Sequence, residues 1–275
     1  MRRIKSKSEI IADIVIYIVM FMIVVLVLYP LWYILVASFS GAVDVSLGNV
    51  ILRIHNFNLG AYKRVFSMDG IGISYLNTVF YTAFGTAVSM ILTLLGGYVL
   101  SKRRLYGRKA ILIFITFTMW FNAGVMPTYL TFQTLNLVNT RMGILLCGAI
   151  STFYVIIMRT SFEAIPESLE ESAKLDGAND FQIMTKVYLP LAVPTIMTLT
   201  LYYMVGRWNG YFWSMILLKD DKLIPLQVVL KKLIVTMSGL YDNGSASSDS
   251  TQTSAETVVY ATIVIAAAPM LAVYP

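Results

Sequence analysis

The stretch ESAKLDGANDFQIMTKVYLP, residues 171–190, is polar and charged and lies between two long apolar segments. Just before it, Pro166 suits the first position of a helix, where its missing N–H would have no partner. Gly177 can end that helix, because glycine tolerates the positive φ of a C-terminal turn. Asn179 can cap a second helix, with Gln182 three residues later to complete a capping box. The segment therefore predicts two short helices joined by a turn.

Three apolar residues of the second helix follow a helical spacing. Phe181, Met184 and Tyr188 fall at i, i+3 and i+7 and would form an apolar stripe on this polar loop. Such a stripe must be covered, either by the ends of the protein's own helices or by a groove on a partner. The spacing of the whole segment favours the partner.

That spacing resembles the EAA loop of permease subunits of ABC importers: Glu-Ser-Ala, three residues, Gly177, nine residues, then Val-Tyr-Leu-Pro ending at Pro190. In that family the loop, here 163–190, is the coupling helix that sits on the ATPase subunit. The resemblance implies these ATPase-coupling residues: Glu171, Ser172, Ala173, Asp176, Gly177, Phe181, Met184, Leu189 and Pro190.

Short motifs across most of the chain are similar to carbohydrate-importer permeases, in the MalG-like branch and its LplC/YtcP-type subgroup. They lie at 75–78, 100–103, 157–160, 165–171, 176–178 and 208–209. The resemblance implies an all-α membrane protein with six transmembrane helices and the type I ABC importer permease (MetI/MalG-like) fold. Family members usually continue past the last helix into a cytoplasmic tail, so contacts of that tail are not carried over.

The same resemblance implies the function and the partners. The chain would form half of the translocation pathway for a carbohydrate, expected to be an oligosaccharide. Its partners would be a second, different permease, two ATP-binding cassette ATPase subunits and an extracytoplasmic solute-binding protein. ATP and Mg would bind to the ATPase subunits, with no cofactor on this chain.

Composition independently places the chain in a lipid membrane. Of its 275 residues 57% are hydrophobic and 13% are charged, whereas soluble domains carry about 25% charged residues. In a soluble protein the net charge of +6 would suggest nucleic acid, but here the positive residues flank apolar segments, so membrane topology explains them and no nucleic-acid partner is expected. The single Cys147 excludes an internal disulfide.

Apolar segments predict one permease domain over 1–275 in the cell (plasma or inner) membrane. Its helices are expected at about 10–37, 74–100, 110–130, 142–159, 191–218 and 257–274. The first is too long for a signal peptide. The third becomes irregular after about Phe121, and the fifth is broken near Gly206 and Gly210. Residues 219–256 are expected to form a loop, flexible in its Ser/Thr-rich part.

Positive residues set the orientation. The densest short cluster follows the second helix and comprises Lys102, Arg103, Arg104, Arg108 and Lys109. Four more Lys/Arg residues precede the first helix. By the positive-inside rule both clusters are cytoplasmic, which predicts a cytoplasmic N-terminus and puts the loop 163–190 on the same side.

Candidate chemistry is sparse. The chain has no Gly-x-x-x-x-Gly-Lys-Ser/Thr loop for ATP phosphates, no Ser/His/Asp set and no Cys/His cluster for a metal, so we expect no catalytic or metal site and ATP hydrolysis on partner subunits.

Arg207 is the strongest candidate for the substrate pathway, because a charge inside the membrane is costly unless it faces a cavity or a partner. Aromatic and amide groups that could stack on and hydrogen-bond a sugar make up the rest of the set: Trp208, Asn209, Tyr211, Trp120 and Asn122. The alternative is helix packing through the pair Gly206 and Gly210.

Two other function classes are less favoured. A secondary transporter or channel subunit would need intramembrane charge relays, and Asp13 and Arg207 are too few for one. A membrane scaffold without transport would leave the loop 163–190 unexplained. Co-purification of an ATPase would separate the importer from both.

Overall fold

The computed structural model describes residues 7–68, 70–121, 123–242 and 255–273. Within those ranges all the regular secondary structure is helical, which confirms the all-α prediction. The described residues form two compact units, one before residue 69 together with those from 232 to 272, and the other from residue 70 to 231 together with residue 273. Both candidate sites described below lie in the second unit.

The helices are numbered in chain order. The first eight are α1 Lys7–Ser38, α2 Ala42–Ser46, α3 Gly60–Ser67, α4 Ile71–Ser101, α5 Arg108–Trp120, α6 Val125–Thr134, α7 Arg141–Leu146 and α8 Thr152–Glu163. They are followed by α9 Glu167–Leu175, α10 Asp180–Ile183, a π-helical turn Met184–Tyr188, α11 Leu189–Leu191, α12 Val193–Asn209, α13 Phe212–Leu217, α14 Leu226–Asp242 and α15 Ala255–Val273.

Two of the described helices, α1 and α4, are long and apolar enough to cross a membrane as single rods. Two bent pairs raise the number to four: α5 with α6 at 114°, and 180–191 with α12 at 84°. Part of α15 is also apolar but shorter. These lengths and compositions fit a membrane-embedded chain.

The predicted fourth helix, 142–159, is wrong as a continuous element. Residues between α7 and α8 are irregular, and Gly148 has a φ of +63°. An α-helix cannot continue through that left-handed conformation, which glycine adopts at little steric cost. The predicted breaks in the third and fifth helices are confirmed: α5 ends at Trp120, and α12 is separated from α13 at Gly210.

The predicted loop 219–256 is also wrong in part, because it contains α14. Leu226, Val229 and Leu233 recur at helical spacing there, and Pro225 precedes the helix at its start. The Ser/Thr-rich stretch 243–254 lies outside the described residues. Helices also occur in the polar stretch 44–70: α3 lies within it, and α2 overlaps its start.

In the first unit, a small core forms around the end of α1. Val36, Val45 and Val50 are buried together there. Tyr33 packs edge-to-face on Tyr260 of α15, with ring centroids 5.8 Å apart. This contact joins the two chain segments of the unit.

In the second unit, α4 is the central helix and packs on both α8 and α12. Its buried face is made largely of small and polar residues, which let neighbouring backbones approach closely. A Cβ at Gly97 would lie 3.0 Å from the Met158 side chain, so glycine permits the approach of α8. Thr93 bonds the Tyr203 hydroxyl of α12 at 2.8 Å.

Candidate functional site

The turn between α9 and α10 has the predicted conformation. Gly177 has a φ of +81°, and its N–H donates to the Lys174 carbonyl at 3.0 Å while Ala178 N–H donates to the Ala173 carbonyl at 3.0 Å. This pair of bonds defines a Schellman motif. Pro166 is the N-cap of α9 rather than its first residue, a shift of one position.

The start of α10 is capped as predicted. Asn179 Oδ1 accepts from Gln182 N–H at 2.9 Å, and Gln182 Oε1 accepts from Asn179 N–H at 3.0 Å. The reciprocal pair satisfies two backbone donors that the helix itself leaves free. The loop 163–190 therefore keeps a defined angle between α9 and the following helix.

The predicted apolar stripe does not form one docking face. Met184 and Tyr188 are buried in the chain's own core, whereas Phe181 is 68% exposed. The exposure already differs between Phe181 and Met184, before the π-helical turn 184–188 begins. The interpretation that the stripe docks on a partner is wrong for Met184 and Tyr188, which pack on α4 and α8 instead.

Most other predicted coupling residues are exposed to solvent. They are Glu171, Ser172, Asp176, Gly177, Phe181 and Pro190, with Ala173 and Leu189 half-buried. Leu175, which the sequence reasoning did not select, is 90% exposed at the end of α9. Exposed large apolar side chains on a polar loop, such as Leu175 and Phe181, are candidates for contact with a partner.

A buried ion pair connects α9 to the end of α4. Lys102 Nζ lies 2.6 Å from Glu170 Oε2, and the two side chains are 10% and 8% exposed. The carboxylate also accepts from Lys174 Nζ at 2.5 Å and from the Tyr188 hydroxyl at 2.7 Å. The ammonium of Lys102 lies over the Tyr188 ring, 3.8 Å from its centroid, and over the Tyr98 ring at 4.1 Å.

The charge state of Glu170 follows from these contacts. Burial by itself would raise the pKa of Glu170. The hydrogen bonds from Lys102, Lys174 and Tyr188 outweigh burial and lower that pKa to about 2. Glu170 is therefore ionised at any physiological pH.

The other positive residues of the loop 102–109 also contact the segment 163–180. Arg103 lies 3.9 Å from Glu167, Arg104 lies 2.5 Å from Asp180, and Arg108 pairs with Glu163. Glu163 is held further by Arg159, whose guanidinium donates to both carboxylate oxygens at 2.9 and 3.0 Å. Four of the five positive residues of this loop thus pair with carboxylates of the segment; we call this set of pairs the clasp.

Sequence reasoning used the positive cluster for topology alone and missed the clasp. A signal was present, because the loop 102–109 and the segment 163–180 carry opposite charges in similar number. The choice of pairs depends on how α4 and α8 pack, and this packing cannot be deduced from the sequence.

A second candidate site is a cavity of about 330 Å³ where two helix breaks meet. Cys147, Gly148 and Ser151 line it from the break between α7 and α8, and Gly210 lines it from the break after α12. Irregular backbone at membrane depth is tolerated where it is buried in protein or lines a water-filled cavity. The two breaks therefore favour a cavity that contains water or a polar substrate.

Arg207 lines this cavity and also joins helices across it. Its Nη1 donates to the Ile144 carbonyl at 2.8 Å, and its Nη2 donates to the Leu145 carbonyl at 3.1 Å and to Ser89 Oγ at 3.2 Å. The two carbonyls belong to the C-terminal end of α7, where helices leave such groups without partners. Gly85 makes room for the side chain, since a Cβ there would lie 3.1 Å from Arg207 Cδ.

The remaining predicted pathway residues are scattered. Trp208 is buried and packs edge-to-face on Tyr75, whereas Asn209 and Tyr211 are exposed. Trp120 is exposed at the end of α5 and is not part of the cavity wall. Asn122 lies outside the described residues.

The cavity instead brings Arg207 together with aromatic residues that the sequence reasoning missed, namely Tyr154, Tyr202 and Tyr203. Within the described residues, a Cβ at Gly206 would meet nothing within 4 Å, so no helix of this chain packs closely against that glycine.

Comparison with known proteins identifies the class. Residues 100–274 match the family described as binding-protein-dependent transport system inner membrane component, and the chain belongs to that family. It is therefore a membrane-embedded permease subunit of an ABC-type transport system rather than an enzyme, and in such systems ATP hydrolysis resides on partner subunits.

Individual relatives span nearly the whole chain. It is 39% identical over 96% of its length to the polygalacturonan/rhamnogalacturonan transport system permease protein YtcP of Bacillus subtilis, covering 92% of that protein. It is 35% identical over 90% of its length to protein LplC of the same organism, covering 83% of that protein. A chain in the crystal structure of a bacterial ABC transporter involved in the import of the acidic polysaccharide alginate superposes with a TM-score of 0.90 at 43% identity, covering 99% of this chain and 97% of that one.

Proposed function

We propose that this chain forms half of the translocation pathway of an ABC importer for an oligosaccharide. A second, different permease would complete the pathway, and an extracytoplasmic solute-binding protein would deliver the sugar. Two ATPase subunits would bind ATP and Mg. The relatives named for polygalacturonan, rhamnogalacturonan and alginate support a carbohydrate substrate.

The proposed architecture is one permease domain with six spans and the type I importer fold. The two single rods and two bent pairs supply four spans, and α7 with α8 and α15 would supply the others. A cytoplasmic N-terminus puts the loop 102–109 and the loop 163–190 on the ATPase side. The contact between these two loops supports their placement on one side of the membrane, and the positive-inside rule makes that side the cytoplasmic one.

The clasp is the observation that carries the coupling mechanism. ATP would close the ATPase dimer and carry α9 with it, through the exposed surface of Leu175, Phe181 and Glu171. Because Glu170 of α9 is bound to Lys102 at the end of α4, movement of α9 acts directly on α4. That helix lines the cavity with Thr78 and Tyr81, so the movement reaches the proposed sugar pathway.

Co-purification of an ATPase with the tagged chain tests this function. Leu175→Glu, which places a charge on the proposed docking surface, should abolish co-purification while the chain still inserts in the membrane. Leu47→Glu is the matched control, because Leu47 is 68% exposed and lies on the opposite side in the proposed topology. Sugar uptake without any associated ATPase would favour the secondary transporter instead.

A further inference from the structure

The cavity at the two helix breaks has a positive charge without a matching negative one. Among the described residues, no carboxylate oxygen lies within 4.0 Å of the Arg207 guanidinium. Its three bonds go to the Ile144 and Leu145 carbonyls and to the Ser89 hydroxyl, all neutral groups. Charged side chains within membrane segments usually pair with one another, with backbone carbonyls or with water in a cavity.

The bonding of Arg207 leaves capacity for a ligand. A guanidinium has five N–H donors, and the described contacts use three of them. The carbonyl and hydroxyl bonds fix the plane of the guanidinium before any ligand arrives. Both Nη2 hydrogens are already used, so the free donors are the Nε–H and one Nη1–H. Each can give a carboxylate oxygen a single charge-assisted hydrogen bond, which is stronger than a bond between neutral groups.

An aromatic wall lies beside this charge. The rings of Tyr154 and Tyr202 are stacked, with centroids 6.0 Å apart and planes inclined by 29°. Tyr203 meets Tyr154 edge-on at 4.8 Å. Tyr202 remains half exposed, so its ring is available for contact. Aromatic faces of this kind can cover the C–H face of a sugar ring, and the hydroxyls of Ser151 and the tyrosines can bond its hydroxyl groups.

We propose that this cavity is a binding subsite for one carboxylated sugar unit of an anionic oligosaccharide, with Arg207 facing the carboxylate and Tyr154 and Tyr202 contacting the ring. The proposal rests on the proposed function and names the substrate class of its pathway. The volume of about 330 Å³ is at the lower end of the range for small-molecule sites, which suits a single sugar unit rather than a longer segment.

The one cysteine of the chain reports on this cavity, because Cys147 lies in its wall. The complete complex, with partner cysteines replaced, can be treated with a small alkylating reagent with and without a probe. The probes are a galacturonic acid trimer and the same trimer with its carboxyl groups methyl-esterified. We expect the acid trimer to slow alkylation of Cys147 and the ester to do so only at concentrations about 10- to 100-fold higher, the range for loss of a hydrogen bond to a charged group.

This measurement uses the wild-type chain, so it does not depend on a variant that folds. Equal protection by both trimers would overturn the role of the charge. No protection by either trimer, in a complex that imports an oligosaccharide with ATP, would overturn the subsite and leave the proposed function standing. A complex that imports no oligosaccharide and binds no ATPase would contradict the proposed function itself.

A variant then assigns the effect to Arg207. Arg207→Met removes the charge at similar length, and the ratio of acid-trimer to ester uptake should fall about 10-fold or more relative to the wild type. Because the same solute-binding protein delivers both trimers to the wild type and to the variant, its own preference for one trimer cancels when the two ratios are compared. Arg207→Lys keeps the charge and should retain more of the ratio than Arg207→Met; an unchanged ratio in Arg207→Met would overturn the assignment.

Discussion

Lys102 Nζ lies 2.6 Å from Glu170 Oε2 in a site where both side chains are about nine-tenths buried. Removing two charges from water is costly, and the cost is offset when additional hydrogen bonds satisfy the remaining groups. Here Lys174 and Tyr188 bond the carboxylate, and two tyrosine rings cover the ammonium. The pair therefore links the loop 163–190 to the C-terminal end of α4 at one specific point.

Breaking this pair should loosen α9. Removing one partner of a buried ion pair costs about 3–5 kcal/mol, because the other charge is left without compensation. We expect Glu170→Gln and Lys102→Met each to reduce hydrogen-exchange protection in α9 and to lower the sugar imported per ATP hydrolysed. The double variant should cost less than the sum of the two single variants, by at least about 0.5 kcal/mol in the local opening free energy.

The exposed pair of Arg103 and Glu167 is the control for that cycle. It lies at 3.9 Å with both side chains largely exposed, so Glu167→Gln should change α9 protection by no more than about 1 kcal/mol. If the free-energy costs of the Lys102 and Glu170 variants were fully additive, the contact between these residues would not stabilise the attachment of α9 to α4.

The contribution of Glu170 to the attachment of α9 to α4 should depend on pH only in acid. Glu170 has its pKa lowered to about 2 from an ordinary value of 4.5. Because the folded pKa is the lower one, its contribution is complete above about pH 4.5 and is lost as the pH falls towards 2. Hydrogen exchange in α9, corrected for intrinsic rates, should show constant opening free energy from pH 8 to 5 and a decrease below. Glu170→Gln should lack this step; a decrease between pH 7 and 6 would implicate a different group.

Substitutions at Gly177 should rank by their tolerance of positive φ. The backbone there has a φ of +81°, and a Cβ would meet nothing within 4 Å, so the cost is conformational rather than steric. The left-handed conformation costs a residue with a side chain roughly 1–2 kcal/mol. Sugar uptake per ATP should therefore decrease in the order Gly177→Asn, Gly177→Ala, Gly177→Val.

Gly72→Val is the matched control for that series, because position 72 is equally open but has no positive φ. It should leave uptake per ATP unchanged at normal expression. If Gly177→Val transports as well as this control, the turn does not set the coupling angle.

Labelling at Tyr106 should report the orientation of the clasp. Tyr106 is 98% exposed in the loop 102–109, so a cysteine there would be reachable from its own side of the membrane. In a Cys147→Ser background, Tyr106→Cys should resist an impermeant reagent in intact cells and react after the membrane is opened. Labelling in intact cells would invert the proposed topology.

Features encoded by near neighbours were predictable from sequence. The capping box of Asn179 and Gln182 and the turn at Gly177 depend on hydrogen bonds between residues a few positions apart. The helix breaks at Phe121 and Gly210 follow from local backbone preferences in the same way. The membrane class follows from composition, because lipid demands long apolar helices whatever their packing.

Tertiary structure alone decided which distant residues meet. Glu170 lies 68 positions from Lys102, and Arg207 lies 118 positions from Ser89. The burial of Met184 likewise depends on α4 and α8 covering it. Helical periodicity indicates which residues share a face. Which surface covers that face depends on the packing of helices that are far apart in the chain. For this reason the sequence located the loop 163–190, whereas the ion pair of Lys102 and Glu170 that links this loop to α4 could be identified only from the tertiary structure.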